Sequence, residues 1–304
     1  MIDVAGVGAS SIDLVYVLPA YPAADGPLSK LPIHSHFVSP GGQTATAMAG
    51  CAALGLRAAF LGATGNDAGG ARIREELTRR GVDITRSRVA DGPQPYAVIL
   101  IVESTGERIV LWHRAPELFP VETSRLRSPI EQARLLHVDD TDIAGAIAAA
   151  SVARAEGRFI TTDIDRVAGG TKELLALATH PVLAEHVPAL LTGEQDLPRA
   201  LRRLRALTPA PIIVTRGAAG ATALEGDELI DVPGFRVDAV DTTGAGDIFR
   251  AGLIAALLDT QPLRAALRYA NAAAAAGCTK RGAMAGVPTR AEVAAVLGEP
   301  ERSA

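Results

Sequence analysis

The feature that most constrains this chain's fold is a regular alternation of short apolar runs and helix-like segments. Helix-like patterns lie between the runs, as at 43–54 and at 71–80, where Gly81 is a helix stop. Strands joined by helices favour an α/β fold whose mostly parallel central sheet carries helices on both faces. We predict buried strands at 2–7, 58–62, 135–138, 159–162, 189–192 and 212–215.

Two regions break this rhythm and are typical of strands outside the main sheet. Residues 12–39 contain four prolines among short apolar stretches, and 96–112 holds two β-rich runs around Ser104-Thr105-Gly106, a hairpin pattern. We therefore expect one domain over 1–304 with a small β-sheet lid formed by about 12–39 and 95–114.

The net charge of the chain and the length of its apolar stretches limit the kinds of partner that it can bind. A formal net charge of −4 gives no general attraction for nucleic acid or for an acidic membrane surface. The longest apolar stretches, such as 97–102, are far shorter than the ~20 residues of a membrane span. The N-terminal segment has no signal-peptide pattern, so we expect a cytoplasmic protein. Cys51 and Cys278 are expected to be free thiols, and no zinc-like spacing occurs.

The segment most indicative of chemistry is Asp241-Thr242-Thr243-Gly244-Ala245-Gly246-Asp247-Ile248-Phe249. A β-like stretch at 235–240 runs into it, and the apolar run 248–258 leaves it as a helix. Small residues at 244–246 permit a tight turn whose N–H groups, at the positive end of a helix, can surround an anion. Asp247, in the first turn, can accept a proton from an attacking hydroxyl. The alternative is that Asp247 only complements the helix dipole.

This nine-residue segment closely resembles the C-terminal signature of the ribokinase/PfkB carbohydrate kinases, and other landmarks follow in that family's order over nearly the whole chain. Residues 40–46 resemble its Gly-Gly substrate motif, 62–69 its Gly-rich loop, and 215–220 its nucleotide loop. Residues 269–274 and 279–283 resemble the segments that close over adenine. The resemblance implies a ribokinase-like fold and an ATP-dependent, magnesium-requiring kinase for a small sugar.

The resemblance also implies roles for the matching positions. Asp247 would be the general base, and the backbone of Gly244, Ala245 and Gly246 would form the anion hole for the transferred phosphate. Sugar contacts would come from Asp13, Gly41, Gly42 and Thr46, and the ATP site from Thr215, Gly217, Gly220 and Asn271. Asp241 and Thr243 match positions that hold a monovalent cation such as K⁺ in some relatives. For Gly41 and Gly42 an ordinary turn is the alternative, and for Asp13 a solvated loop acid.

Two departures from the family pattern bear on the site. Thr46 stands where the family commonly has Asn, so one substrate hydrogen bond is expected to differ. The family's Asn-x-x-Glu motif, which organises magnesium, is expected near 191–196, where no matching Asn occurs. Glu194 is then the substitute acid, and Gln195 rivals it by register.

The substrate is less constrained than the reaction. Residues 106–109 and 278–288 are similar to a branch that includes ketose kinases and sulfofructose kinase. Trp112 and Thr141 stand where a sulfonate would need polar or basic groups, so we expect a neutral hexose or pentose, ketoses included. His113 and Arg114 either reach the substrate or are solvated. The lid strands need cover, which favours a homodimer.

Rival functions meet specific obstacles in the sequence. A Rossmann oxidoreductase is disfavoured because Ser11 replaces the third glycine of Gly6-x-Gly8 and prolines interrupt the next segment. No Gly-x-x-x-x-Gly-Lys exists, so a P-loop kinase is excluded. A nucleoside kinase of the same family and a sugar-sensing relative without catalysis stay open.

Overall fold

Four parallel strands form one half of the main sheet. The computed structural model describes residues 2–119 and 123–298. Strand β1 (Ile2–Val7) lies between β4 (Ala58–Phe60) and β9 (Ala133–Asp139), and β10 (Phe159–Asp163) pairs with the other edge of β9. All three pairings are parallel, so the carboxyl ends of these strands meet at one edge of the sheet.

The other half of the sheet continues this order. Strands β11 (Val182–Ala184) and β12 (Ile212–Thr215) are parallel, whereas β13 (Ala221–Glu225) and β14 (Glu228–Val232) are antiparallel. Isolated bridges Thr161–His180 and Ile164–Leu183 join the halves into the order β4-β1-β9-β10-β11-β12-β13-β14. The short parallel pair β5 (Ala63–Gly65) and β6 (Arg88–Ala90) lies apart from it.

Ten helices in the described ranges cover this sheet. They are α1 (Gln43–Ala53), α2 (Ala68–Arg79), α3 (Thr123–Gln132), α4 (Ile143–Ala155), α5 (Thr171–Leu177), α6 (Val187–Thr192), α7 (Leu197–Leu204), α8 (Ala245–Leu258), α9 (Leu263–Cys278) and α10 (Arg290–Leu297). Successive side chains of a strand point to opposite faces. On β1, Ala5 and Val7 therefore pack in a core with α3–α7, whereas Val4 packs in a second core with α1, α2 and α8–α10. The predicted α/β architecture is confirmed. No helix in these ranges is long and apolar enough to cross a membrane.

A separate four-stranded sheet is built from two parts of the sequence, the proline-rich region and the hairpin region. Its order is β3 (Ser35–Gly41), β2 (Ser11–Leu18), β7 (Tyr96–Val102) and β8 (Arg108–His113). Asp13, Ala97 and Trp112 lie side by side across three strands and thus on one face. We call this the lid sheet, and its face bearing Asp13 the inner face.

Two predicted strands are wrong. Residues 189–192 belong to helix α6, and the strand is β11, seven residues earlier at Val182–Ala184. Pro188 occupies the first turn of α6, where proline lacks no needed hydrogen bond. Residues 235–240 form no strand, because within the described ranges their backbone has no partner before the Val240 N–H, which donates to the Cys278 carbonyl at 2.8 Å.

Candidate active site

The turn before helix α8 presents free backbone amides. Gly244 is the N-cap, with φ 78°, a left-handed conformation that glycine adopts at little cost. Ala245 N–H donates to the Thr242 carbonyl at 3.2 Å, whereas the N–H groups of Gly244, Gly246 and Asp247 have no protein acceptor among the described residues. Residues 244–247 stay partly exposed. The turn can therefore bind an anion at the positive end of α8.

Asp247 lies beside these amides in a crowded acidic environment. Burial raises the pKa of Asp247 well above its usual range. The negative charge of Asp163 raises that pKa further, Arg250 opposes it, and Asp139 and Asp13 add smaller increases. A carboxyl group with a raised pKa beside an anion-binding turn is suited to proton transfer near neutral pH.

Asp13 and the Gly-Gly turn come together at the base of the lid sheet. Asp13 is 7% exposed, and its carboxylate accepts a 3.3 Å bond from Ser11 Oγ. Gly41 leaves room for this side chain, since a Cβ there would lie 2.6 Å from Asp13 Oδ2. Gly42 has φ 97° and packs against the backbone of Ser10. Burial raises the pKa of Asp13 to about 6.

Thr46 differs from the other predicted sugar contacts. Its side chain is fully buried, and its hydroxyl has no hydrogen-bond partner in the described part of the chain. Thr46 thus places a short, unpartnered polar group inside the protein, and its role in sugar binding stays a prediction.

Several acidic groups that the sequence analysis did not single out lie at the same sheet edge. Asp139, at the end of β9, accepts hydrogen bonds from the Ala9 amide at 2.6 Å and from Thr44 Oγ1 at 2.7 Å. Asp163, at the end of β10, forms a 2.7 Å ion pair with Arg250 of α8. A usable signal was present: both acids end predicted parallel strands, and Arg250 interrupts an apolar helical run.

Three of the predicted nucleotide residues lie at the end of β12 and in the connection to β13, whereas the fourth, Asn271, is on α9. Gly217 and Gly220 have φ of 53° and 94°, and a Cβ on Gly220 would lie 2.2 Å from the Val232 carbonyl oxygen. Thr215 is partly exposed at the end of β12. Asn271 is buried, and its amide donates to the carbonyls of Val232 and Pro233 at 3.0 and 3.1 Å. It therefore shapes this region by holding the 232–233 segment.

A residue of the lid sheet also contacts the turn before α8. Arg108 Nη1, on the inner face of β8, donates a 2.8 Å hydrogen bond to Thr242 Oγ1. The inner face of the lid sheet thus faces the anion-binding turn. In the sequence, Arg108 stands out only as part of the segment 106–109, which is similar to ketose kinases.

The predicted metal residues fall into two places. Asp241 accepts hydrogen bonds from the amides of Thr243 and Gly282, both at 2.8 Å. Glu194 lies beyond the end of α6 and pairs with Arg203 at 3.2 Å, so its magnesium role stays a prediction without supporting contacts. Glu185 is the acid directly after β11, and it faces Arg216 at 3.9 Å. No cluster of three or more metal-binding side chains occurs in the described ranges.

Backbone carbonyls converge near the Asp241 loop. A Cβ placed on Gly286 would meet the carbonyl oxygens of Gly282, Gly277 and Ala283 at 2.7, 3.2 and 3.7 Å. Oxygens gathered around one point are the donors that hard monovalent cations prefer. The residues present therefore fit the cation site that the resemblance implies.

Comparisons with known proteins identify the relatives of this chain. The sequence profile of the pfkB family carbohydrate kinase matches residues 1–290. The ATP-dependent ribose-1-phosphate kinase of Halopiger xanaduensis is 32% identical, covering 98% of this chain and 99% of that protein. The ribokinase of Bacillus subtilis is 29% identical over 98% and 100% of the two chains. The structure of Arabidopsis thaliana ribokinase complexed with ribose and ATP superposes with a TM-score of 0.85 at 23% identity, over 97% of this chain and 98% of that one. The chain thus belongs to the pfkB family of carbohydrate kinases.

Proposed function

We propose that this protein transfers the γ-phosphoryl group of ATP to a hydroxyl of a small neutral sugar, with Asp247 as general base. The observation that carries the proposal is that the free amides of Gly244, Gly246 and Asp247 lie beside the crowded Asp247 carboxylate. Asp247 takes the proton of the sugar hydroxyl, and the oxygen forms a bond to the γ-phosphorus. The bond from that phosphorus to the bridging oxygen breaks, and ADP leaves. The amides stabilise the negative charge on the transferred group.

ATP is assigned to the region of Thr215, Gly217, Gly220 and Asn271. The Arabidopsis thaliana relative, named as complexed with ribose and ATP, supports ATP as the phosphoryl donor. Mg²⁺ is usually bound by substrate phosphates, waters and only one or two protein carboxylates. It is therefore expected to bind the ATP phosphates here and to neutralise their charge. A monovalent cation such as K⁺ would bind the carbonyl oxygens around Gly286 and steady the Asp241 loop.

The charges of the described residues favour a neutral hexose or pentose over a phosphorylated one. Asp13, Asp139, Asp163 and Asp247 all act on this edge of the sheet, so an anionic substrate would be repelled. Arg250 is already paired with Asp163. Ribose-1-phosphate, the substrate in the name of the Halopiger xanaduensis relative, is therefore a discriminating test compound.

The lid sheet is the surface through which we propose that two copies of the chain associate. All six residues of its edge strand β8 are exposed, although four of them are large and apolar. An uncovered apolar edge strand is prone to associate.

A substrate screen tests the enzymatic proposal. ADP release from ATP would be measured with D-ribose, D-fructose, other aldoses and ketoses, nucleosides and ribose-1-phosphate. Turnover with a neutral sugar is expected, and Asp247→Asn should lower it by about 10³-fold or more while sugar and ATP still bind. Asp259→Asn, at the exposed far end of the same helix, is the matched control. Full turnover in Asp247→Asn would refute the base assignment, and exclusive use of ribose-1-phosphate would refute the neutral-sugar assignment.

A further inference from the structure

Arg250 is a charged residue in the apolar part of helix α8. It is 3% exposed, and Nη2 lies 2.7 Å from Asp163 Oδ1. Helical side chains lean toward the N-terminus, so Arg250 reaches back beneath the first turn of α8. A Cβ on Gly246 would lie 2.8 Å from Arg250 Nη1. The guanidinium therefore lies directly against the backbone of the anion-binding turn.

The partner of Arg250 is itself held from the sugar side of the site. Gln43, the first residue of α1, donates a side-chain hydrogen bond to Asp163. Gln43 Oε1 also accepts a 3.3 Å bond from Thr141 Oγ1 in the loop after β9. A continuous chain of contacts thus ties the catalytic helix to the β9 loop, β10 and α1.

Arg250 is also the cation that balances this acidic cluster. Asp247 faces the charges of Asp163 from β10, Asp139 from β9 and Asp13 from β2. His137 of β9 is fully buried, and burial together with Arg250 lowers its pKa to about 3, so it is neutral.

The other two helices packed against α8 add no compensating charge. Helix α1 carries no charged residue. The arginines of α9 are engaged elsewhere, Arg264 with Glu228 at 3.4 Å and Arg268 over the ring of Phe235. Arg250 is therefore the cation that acts on Asp247 from these elements.

We propose that Arg250 is a positioning residue that, through Asp163, fixes the first turn of α8 and supplies the positive charge that keeps Asp247 ionised. This inference rests on the proposed role of Asp247 as base. Asp247 and Asp163 both carry raised pKa values that Arg250 opposes. Without Arg250, mutual repulsion of the carboxylates would hold a proton on Asp247 and block its proton-accepting role.

The pH profile of kcat/KM separates a charge role from simple packing. The acid limb is the pH range in which kcat/KM falls as pH is lowered. In Arg250→Met, this limb is expected to move to higher pH by about one unit or more. At pH values below the limb, kcat/KM is then about tenfold lower than in wild type. Asp163→Asn removes a neighbouring anion and should move the limb to lower pH. The double variant should return the limb toward wild type, and Arg250→Lys should stay close to it. Arg202→Met, exposed on α7, is the control.

Thermal unfolding provides a readout that does not require turnover. A carboxyl group whose folded pKa exceeds its unfolded pKa binds more protons when folded, so stability falls as pH rises between the two values. Relative to wild type, the Tm of Arg250→Met should therefore be lowered more at pH 8 than at pH 5.5. Adding Asp163→Asn should make the difference between the two pH values smaller. If no sugar is turned over by wild type, the proposed function fails while this pH dependence still tests Arg250. An unmoved acid limb, or equal Tm losses at both pH values, would overturn the inference.

Discussion

Arg108 of the lid sheet donates a 2.8 Å hydrogen bond to Thr242 in the turn that precedes helix α8, across 134 positions of sequence. The side chain belongs to the inner face of β8, the face that Asp13 shares on β2. The contact therefore links the sheet that carries a candidate sugar ligand to the turn that is proposed to bind phosphate. A cation beside that turn can also add to the attraction for a transferring phosphoryl group.

Replacing Arg108 tests this link. Arg108→Gln removes the charge and weakens the hydrogen bond, so kcat/KM for ATP should fall by about 10- to 100-fold. Thr242→Val, which removes only the hydrogen bond, should cost about tenfold or less. Arg86→Gln, at an exposed position distant in the fold, should match wild type in the same steady-state assay. Equal kinetics in Arg108→Gln and wild type would show that the contact has no catalytic consequence.

Asp13 should act on sugar binding and not on ATP binding. Asp13→Asn should raise KM for the sugar by about tenfold or more, because an ionised acceptor for sugar hydroxyls is lost. Since the pKa of Asp13 is raised to about 6, the carboxylate gains a proton as pH falls through that value. KM for the sugar should then rise below about pH 6 in wild type and stay flat in the variant. Asp25→Asn, exposed in the β2–β3 connection, is the control, and a change confined to KM for ATP would contradict the assignment.

Much of the architecture could be predicted because its signals are local. Period and composition identified β1, α1, β9 and α8, and Ser104-Thr105-Gly106 marked the hairpin between β7 and β8. The strand predicted at 189–192 failed because a short apolar run has no period that separates helix from strand. In the structure Pro188 starts a helix there, so Glu194, which was predicted as the acid after a strand, instead follows helix α6, and its magnesium role stays a prediction.

The candidate site was predictable where one segment carries it, as in the turn at 244–247. The supporting charges were harder to predict because they come from separate strands. Asp139 and Asp163 meet only because parallel strands end at the same sheet edge. Whether Arg250 faces solvent or a buried partner depends on packing, which a single sequence does not encode locally.

A stability prediction concerns the opposite end of β1. Asp3 accepts bonds from Arg57 Nε and Nη2, both at 2.9 Å, and Arg134 lies 3.5 Å away. The hydrogen-bonded Arg57 side chain holds the pKa of Asp3 well below its usual range. Asp3→Asn should therefore lower the free energy of unfolding by about 1 kcal/mol at pH 7, a modest value because Arg57 is largely exposed.

The pH dependence of this effect has a defined sign. A depressed carboxyl pKa stabilises the fold above the unfolded value near 4, and that contribution is lost as pH falls below it. Denaturant unfolding of wild type and Asp3→Asn should hence differ at pH 7, and the difference should become progressively smaller as pH falls below about 4. Turnover should be unaffected, because Asp3 lies at the amino end of β1, away from the candidate site. A difference that persists undiminished at pH 3 would contradict the charge explanation.

The lid sheet should govern oligomeric state through its outer face, opposite the face that carries Asp13. On that face Leu111 is 55% exposed and Ile109 and Tyr96 are each 40% exposed, whereas the inner face turns toward the signature turn. A second copy burying this apolar face would remove it from water. Wild type should sediment as a dimer at micromolar concentration, and Leu111→Asp should convert it to a monomer because a buried carboxylate is costly. Leu190→Asp, equally exposed on α6, should stay dimeric, and a wild-type chain that sediments as a monomer would refute pairing through the lid.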